Sequence, residues 1–597
     1  MSVHVSIRKG EFRDSVVLMN ASQRLREAEG VLDALVVMGT DSNKEVLRDL
    51  GLLTTGAEEA TGNDLVVAMK TENPTIARSI LGNLDSYFAQ QGAVEHPKHY
   101  PSLDSALEDV TGANLALISV PGEYAAGEAR RALRRGLHTL LFSDNMSLEE
   151  EITLKRLATE LGLLLMGPDC GVCNLGGAAL ALASIVGRGP IGIVGASGAG
   201  TQEVATLVER AGLGVSHAIG TGGRDLHEAV GALTMAGSLA ALDSDASTDV
   251  IVLVGKAPSG SVTSKLCETI QGCGKAVVAC FLDADPEPWV KSGAYFASSM
   301  DSAAQLAVAL ARREPTEVRT FDLPDAEVVG LADTLRATLQ PGQKYLRGIF
   351  GAGTFVAQAQ AIIGELMSPI HSNSPFAGGQ RLEDVRESKG HCVLDLGDEA
   401  LTRGRAHPVI DPLPYRLRIL KEFQDPETAV LLLDVILGPA LHPDPAEYIV
   451  TALREARDAS GRSPVVVASV CGTHRDPQNA PAQEQKLRAA GVTVMPSSAQ
   501  AARLAGLILS QRPADEALAV LAGREPFPQP VSRQPERGLT SSRRIAELLG
   551  GGLKVINVGV DVMARALRMQ GVDVAEVSWS PPAGGDPRIA RLLWRLG

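Results

Sequence analysis

Residues 191–203, IGIVGASGAGTQE, hold the residue types best suited to chemistry on an anion. A short apolar run, 191–194, ends in glycines and small residues, and a helix-like sequence begins near Thr201. Such a strand–turn–helix lets backbone N–H groups approach a ligand closely, and the helix N-terminus favours negative charge there. The phosphate-binding candidates in it are Gly195, Ser197, Gly198, Ala199, Gly200 and Thr201, with Ser197 equally suited to capping the helix. Most buried glycine turns bind nothing. The reading gains weight from a second turn of similar design, LLLDVILGPA (431–440), which offers Gly438 and Pro439.

Other polar residues allow two readings each. In GRAHPVIDP, Arg405, His407 and Asp411 could line a substrate site or fix a loop. In CGTHRDPQ, His474, Arg475 and Asp476 follow a strand, where α/β sheets place ligands, or they serve loop hydrogen bonding. Asp434 sits inside an apolar strand and suits bonds to backbone amides, while His391 and Asp395 flank a strand and read as structural. The seven cysteines include one CxxC, Cys170 and Cys173, with no second pair to complete a zinc site; they read as reduced, structural thiols. No His/Glu/Asp spacing suggests a metal ligand set.

The elements that position these residues are α/β. At 597 residues the chain exceeds one domain, and its 45% hydrophobic and 21% charged content is that of soluble globular protein. Only 4% is aromatic and the net charge is −14, which argues against nucleic acid as a partner. No apolar run approaches the roughly 18 residues that span a bilayer, and the N-terminus lacks a signal-peptide core, so the expected compartment is the cytoplasm and no membrane partner is expected. Strands and helices alternate as in doubly wound parallel sheets. The expected organisation is a small α+β, ferredoxin-like module over 1–95 and a Rossmann-like domain over 96–187. Two doubly wound domains follow at 188–312 and 343–512, with linkers at 313–342 and 513–541. A small β-α-β module at 542–597 is too small for its own core, and it docks on this chain or on a partner.

The order of motifs resembles a known family. LISVPGEYAAGEARRALRRG, LLMGPDCGV, IGIVGASGAGTQEV, AIGTGGRDLHEAV, VLVGKAPSG and WVKSGAYFASS resemble the alpha subunit of succinyl-CoA synthetase. VLDLGDEALTRGRAHPVIDP, LLLDVILGPA and PVVVASV resemble the ligase domain of its beta subunit. Near-complete coverage, including the N-terminal module and the KVINVG tail, resembles the FdrA group of acyl-CoA synthetase-like proteins. The fold this implies is a CoA-binding-type Rossmann domain with two flavodoxin-like ligase domains.

The departures bear on function. Where the family carries a phosphohistidine in GHAGA, this chain reads VKSGA, with Lys291; where a glutamate in GEIGG supports it, this chain reads GKAPSG, with Lys256. A lysine ammonium makes a poor phosphoryl carrier but binds an anion as a point charge; the alternative for both lysines is solvent-exposed surface. No ATP-grasp domain is present, and the glycine-rich loop that opens the family's CoA-binding domain is missing from its usual place. The resemblance implies two helix N-termini, after Gly198 and after Gly438, facing one phosphate; Lys256 and Lys291, this chain's departures, are the candidate catalytic cations beside it, and Arg405, His474 and Arg475 are the candidate substrate contacts from their own segments. It further implies a subunit of oxamate carbamoyltransferase in allantoin and ureide breakdown, working in a hetero-oligomer with operon partners. Phosphate and carbamoyl phosphate would be substrates, and coenzyme A stays open. An acyl-CoA ligase subunit needing a separate ATP-grasp chain, and a non-catalytic scaffold, are the competing readings.

Overall fold

A computed structural model describes residues 2–11, 13, 15–88, 98–402, 405–523, 527, 530 and 538–581. The strands are, in chain order, β1 (Ser2–Arg8), β2 (Val31–Met38), β3 (Leu65–Thr71), β4 (His99–Tyr100), β5 (Leu115–Ile118), β6 (His138–Leu141) and β7 (Leu165–Met166). Next come β8 (Val172–Leu175), β9 (Ala178–Ala181), β10 (Ile191–Gly195), β11 (Val215–Gly220), β12 (Val250–Lys256), β13 (Ala276–Leu282) and β14 (Tyr295–Phe296). A third group is β15 (Tyr345–Phe350), β16 (Ile370–Ser372), β17 (Gln380–Arg381), β18 (His391–Asp395), β19 (Thr428–Ile436), β20 (Val465–Cys471) and β21 (Thr493–Met495). The last two are β22 (Lys554–Val558) and β23 (Asp573–Val577).

The chain divides into two compact units, residues 1–96 with 396–420, and residues 97–395 with 421–597. In the first, β1–β3–β2 form an antiparallel sheet. Side chains alternate across it, so both faces can be covered. Val36, Val67 and Met69 meet Leu18, Leu25 and Ile80 on one face, while Leu35, Val37, Val66 and Ala68 meet Leu47, Leu52 and Leu413 on the other. Leu413 corrects an expectation. The sequence reading places residues 396–420 in the second doubly wound domain, yet Leu413 and Leu417 complete the apolar cover of this small sheet.

The second unit holds three sheets. The first is ordered β14-β13-β12-β10-β11-β8-β9, and its five parallel strands from β10 to β14 lie in the spatial order 5-4-3-1-2. The second, β21-β20-β19-β15-β18-β16-β17, repeats that order with β15, β18, β19, β20 and β21. Read from the other edge this is 2-1-3-4-5, the flavodoxin-like winding, whose switch point lies at the C-terminal end of the first strand. Here those first strands are β10 and β15. Central strands such as β10 and β19 are buried throughout, as parallel strands covered on both faces must be.

The third sheet overturns an expectation. Its order is β4-β23-β22-β5-β6-β7, all parallel, and β22 and β23 come from the C-terminal segment. Counted from β22, the order is 3-2-1-4-5-6, the dinucleotide-fold order with its first β-α-β unit at the far end of the chain. Strands β4–β7 of the expected 96–187 domain and β22–β23 of the expected 542–597 module are therefore one sheet, closed in cis, while β8 and β9, expected with 96–187, extend the first sheet beside β11. Gly559 follows β22 at φ +124°, where a Cβ would sit 2.6 Å from Ser119 Oγ.

Neither expected linker is one in its described part. Residues 325–337 are a helix with Val328 and Ala332 buried, held by Arg336 Nε donating to the Ile508 carbonyl at 3.1 Å. Residues 514–522 are a helix burying Ala517, Leu518 and Leu521. Their apolar spacing packs them down; proline and charge at the flanks hid that. A buried ion cluster joins the third sheet to the first. Lys155 Nζ reaches Asp225 Oδ1 at 2.7 Å, the Thr221 carbonyl at 2.8 Å and Glu151 Oε1 at 3.2 Å, and Arg224 pairs with Glu151 at 2.8 Å.

Candidate functional site

The turn after β10 forms as its sequence requires. Ser197 caps the helix Gly198–Arg210, its Oγ accepting the Gly200 N–H at 3.0 Å. The glycines there serve packing, which corrects the idea that each admits a ligand. A Cβ on Gly195 would fall 1.7 Å from Thr201 Oγ1, and one on Gly200 would fall 2.8 Å from Ser197 Oγ and 2.9 Å from Val254 Cγ1. Thr201 turns its hydroxyl back to the Ser197 carbonyl at 2.6 Å and is fully buried. The partly exposed tip is Ser197, Gly198 and Ala199.

The structure sets a different turn against this tip. Gly351-Ala352-Gly353-Thr354 repeats the letters of residues 198–201 and follows β15, the first strand of the second doubly wound sheet. It opens the helix Gly353–Ile363, and the Thr354 and Ser197 hydroxyls are hydrogen-bonded to each other. Two switch-point turns thus meet through their hydroxyls, and each helix brings about half a positive charge. Behind the second turn, Asp434 accepts the Gly351 N–H at 3.0 and 3.2 Å, in keeping with its expected backbone role. Asp395 approaches Gly353 so closely that a Cβ there would lie 2.5 Å from Oδ2. The repeat GAGT was the signal that could have found this turn.

Gly438 and Pro439 do not open a helix. The helix after β19 is Pro445–Ser460, capped by Asp444, whose side chain accepts the Glu447 N–H at 3.3 Å. Gly438 is buried against the 182–183 backbone, where a Cβ would lie 2.9 Å from the Leu182 carbonyl oxygen, and Gln202 Nε2 donates to the neighbouring Leu437 carbonyl at 2.8 Å. The turn is a seam, and the expected second helix tip is not there.

The two lysines part company. Lys256 ends β12, which pairs directly with β10, so it stands at the same sheet edge as the glycine turn; it is exposed and lies 5.6 Å from the Phe376 ring centroid. Lys291 is in the last turn of the helix Pro286–Ser292, which returns from the C-terminal end of β13 to β14. In a β-α-β crossover the helix runs antiparallel to its strands, so Lys291 stands toward the opposite sheet edge. It is exposed and paired with Glu287, a hydrogen bond that raises its pKa. It is not a partner of the Gly198 tip.

The expected substrate residues also separate. Arg475 Nε donates to Glu209 Oε1 at 2.6 Å, and Asp476 accepts the Ile185 and Thr473 N–H groups, both at 2.8 Å. Glu209 is eleven residues along the helix from Gly198, so this loop lies roughly 16 Å from the tip. Exposed His474 belongs to the same loop, which serves as a tether. Arg405 belongs to the first compact unit, where burial lowers its pKa against the pull of Asp411 and brings neighbouring His407 to about 4.

Such paired doubly wound sheets with glycine turns at their switch points define a CoA-ligase-like protein. A CoA-binding domain model matches residues 188–282 and a CoA-ligase model residues 349–508. The first falls on the sheet expected to be of ligase type, not on 96–187. The chain belongs to the acyl-CoA synthetase-like, FdrA-like family: it is 40% identical over 513 residues to YahF of Escherichia coli (strain K12), covering 85% of this chain and 98% of that protein, which is itself uncharacterized. The succinate–CoA ligase [ADP-forming] alpha subunit of Aquifex aeolicus (strain VF5) is 33% identical over 152 residues, 24% of this chain and 48% of that one. Among solved structures, acetyl-coenzyme A synthetase 1 of Ca. Korarchaeum cryptofilum, in complex with phosphate and ADP, matches at 15% identity and TM-score 0.28, over 76% of this chain and 94% of that one. ATP citrate lyase of Methanothrix soehngenii, with citrate and coenzyme A, matches at 12% and 0.31, over 83% and 81%.

Residues 1–101 match the AllF heavy metal-associated domain model. Among the described residues no group of three His, Cys, Asp or Glu side chains is placed to hold a metal ion. This stretch contains no cysteine, the first in the chain being Cys170, and His4 is bonded to Ser2 Oγ at 2.7 Å.

Proposed function

We propose that this chain is the phosphate-handling subunit of an oxamate carbamoyltransferase, acting with partner subunits in ureide breakdown. The observation that carries it is the direct contact of two GAGT helix tips through Ser197 and Thr354. In the reaction, the oxamate amide nitrogen attacks the carbonyl carbon of carbamoyl phosphate. The C–O bond to phosphate breaks, the nitrogen loses a proton, and oxalurate and phosphate leave. The tip N–H groups and the two hydroxyls would bind the phosphate, and their fixed dipoles would stabilise its growing charge as it departs. Lys256, at the same edge, adds a mobile cation. No phosphoenzyme is required, in keeping with a sequence that has no histidine between 228 and 370.

The second reading is acyl-CoA ligation with nucleotide chemistry supplied by another chain. The match of 188–282 and 349–508 to CoA-binding and CoA-ligase models favours it. One panel separates the two: the chain with its operon partners is given oxamate and carbamoyl phosphate, or ATP, coenzyme A and a carboxylate. Oxalurate with phosphate is the expected product. Thioester with ADP, and no oxalurate, would overturn the first reading in favour of the second.

A further inference from the structure

A buried relay beneath the tips has no part in the chemistry above. Met300 N–H donates to Gln358 Oε1 at 3.0 Å, Gln358 Nε2 donates to Ser498 Oγ at 2.6 Å, and the Ser498 hydroxyl donates to Glu203 Oε2 at 2.6 Å. The Ser498 N–H also donates to Glu203 Oε1, again at 2.6 Å. Glu203, Gln358 and Ser498 are 3%, 1% and 5% exposed. Every donor points the same way, and the chain ends on a carboxylate, which only accepts when ionised. Glu203 and Gln358 lie on the two tip helices, each a little over one turn from its tip. Ser498 opens the helix Ser498–Leu509, which packs against the Gly353 helix, and Met300 opens the helix Met300–Arg312, which packs against the Gly198 helix. The relay also spans the segments matched by the CoA-binding and CoA-ligase models.

We propose that ionised Glu203 is a positioning residue that, through Ser498 and Gln358, holds the Gly198 and Gly353 tips in register for an oxyanion. This rests on the reading of the tips given under Proposed function. The groups facing Glu203 are Asp301 on the Met300 helix, Arg210 on its own helix and Cys471 on β20; Asp301 is in turn paired with Arg503 of the Ser498 helix at 3.2 Å. Burial raises Glu203 to about 7 and Asp301 to about 6, against the opposing pull of the two arginines. As pH falls through 7, one Glu203 oxygen becomes a donor, and either the Ser498 amide or its hydroxyl loses its acceptor. Glu203→Gln imposes a related fault at every pH. The amide offers one acceptor where the carboxylate offers two, so its nitrogen faces either the Ser498 N–H or the Ser498 hydroxyl, and one of these two donors loses its acceptor.

The test uses the full chain and sulfate, whose charge is constant over this range, titrated calorimetrically at pH 8 and pH 6. Wild type is expected to bind about fivefold more tightly at pH 8, the equivalent of one lost hydrogen bond. Glu203→Gln is expected to bind weakly and equally at both, while Asp301→Asn, which removes a like charge that helps raise Glu203, keeps a pH dependence with its midpoint moved to lower pH. Ser498→Ala, which keeps the amide arm, is expected to fall between and serves if Glu203→Gln does not fold. A purely structural role would shift the melting temperature and leave the pH slope intact. Wild-type affinity and slope in Glu203→Gln or Ser498→Ala would overturn the proposal alone; wild type that binds no sulfate at either pH would overturn the tip reading and the proposal with it.

Discussion

At the residue scale, the sharpest claim concerns Thr354. Thr354→Val keeps the shape and removes the hydroxyl that meets Ser197. A hydrogen bond to a charged group contributes about 1.5–3 kcal/mol, so phosphate affinity and transfer rate should fall roughly ten- to a hundredfold. Lys291→Met should match wild type in the same assay, because Lys291 stands at the other sheet edge. Equal losses in both variants would contradict the site. A second residue-scale outcome is pH-linked. His138 accepts the Leu164 N–H at 3.0 Å through Nδ1, and burial lowers its pKa to about 4 from 6.5. The neutral ring is therefore favoured in the folded chain, and its contribution is full above 6.5 and lost as pH falls toward 4. Melting curves from pH 7 to 4.5 should show less acid destabilisation in His138→Gln than in wild type.

At the element scale, the contrast between legible and hidden features has a physical cause. The turn at Ser197 was legible because β10, the cap and the helix are adjacent in sequence, and each obeys local rules. Its partner reads as Gly438 because a glycine after an apolar strand looks alike wherever it occurs, and only strand order distinguishes β15 from β19. The five-letter comparison of VKSGA with GHAGA places Lys291 without regard to which way its helix runs. A lysine in a charged helix reads as surface, yet in the fold Lys155 is fully enclosed by Glu151, Asp225 and the Thr221 carbonyl. Removing one member of such a cluster leaves charges without partners, so Lys155→Met should destabilise by about 3–5 kcal/mol. Urea unfolding would read this, and a loss below about 1 kcal/mol would show that the cluster is hydrated instead.

At the scale of the whole molecule, both doubly wound sheets were legible as fold class from alternating strands and helices. The third sheet was not, because its first two strands lie more than 400 residues from the next ones. No window along a sequence reports such a closure. Ending the chain at residue 537 would take β22 and β23 from between β4 and β5, remove Ile556 and open the core around Ile118 and Leu141. That truncation should lose the cooperative unfolding of the third sheet, and residues 538–597 supplied in trans should restore it. The central claim reaches across the two doubly wound sheets: their first turns form one oxyanion site. A structure of the crystallised protein soaked in phosphate tests it most directly. The expected result is phosphate density between the Gly198 and Gly353 turns, with Ser197 and Thr354 each turned from the other to the anion. Phosphate bound at the Gly438 seam instead, with the Ser197–Thr354 bond intact, would contradict it.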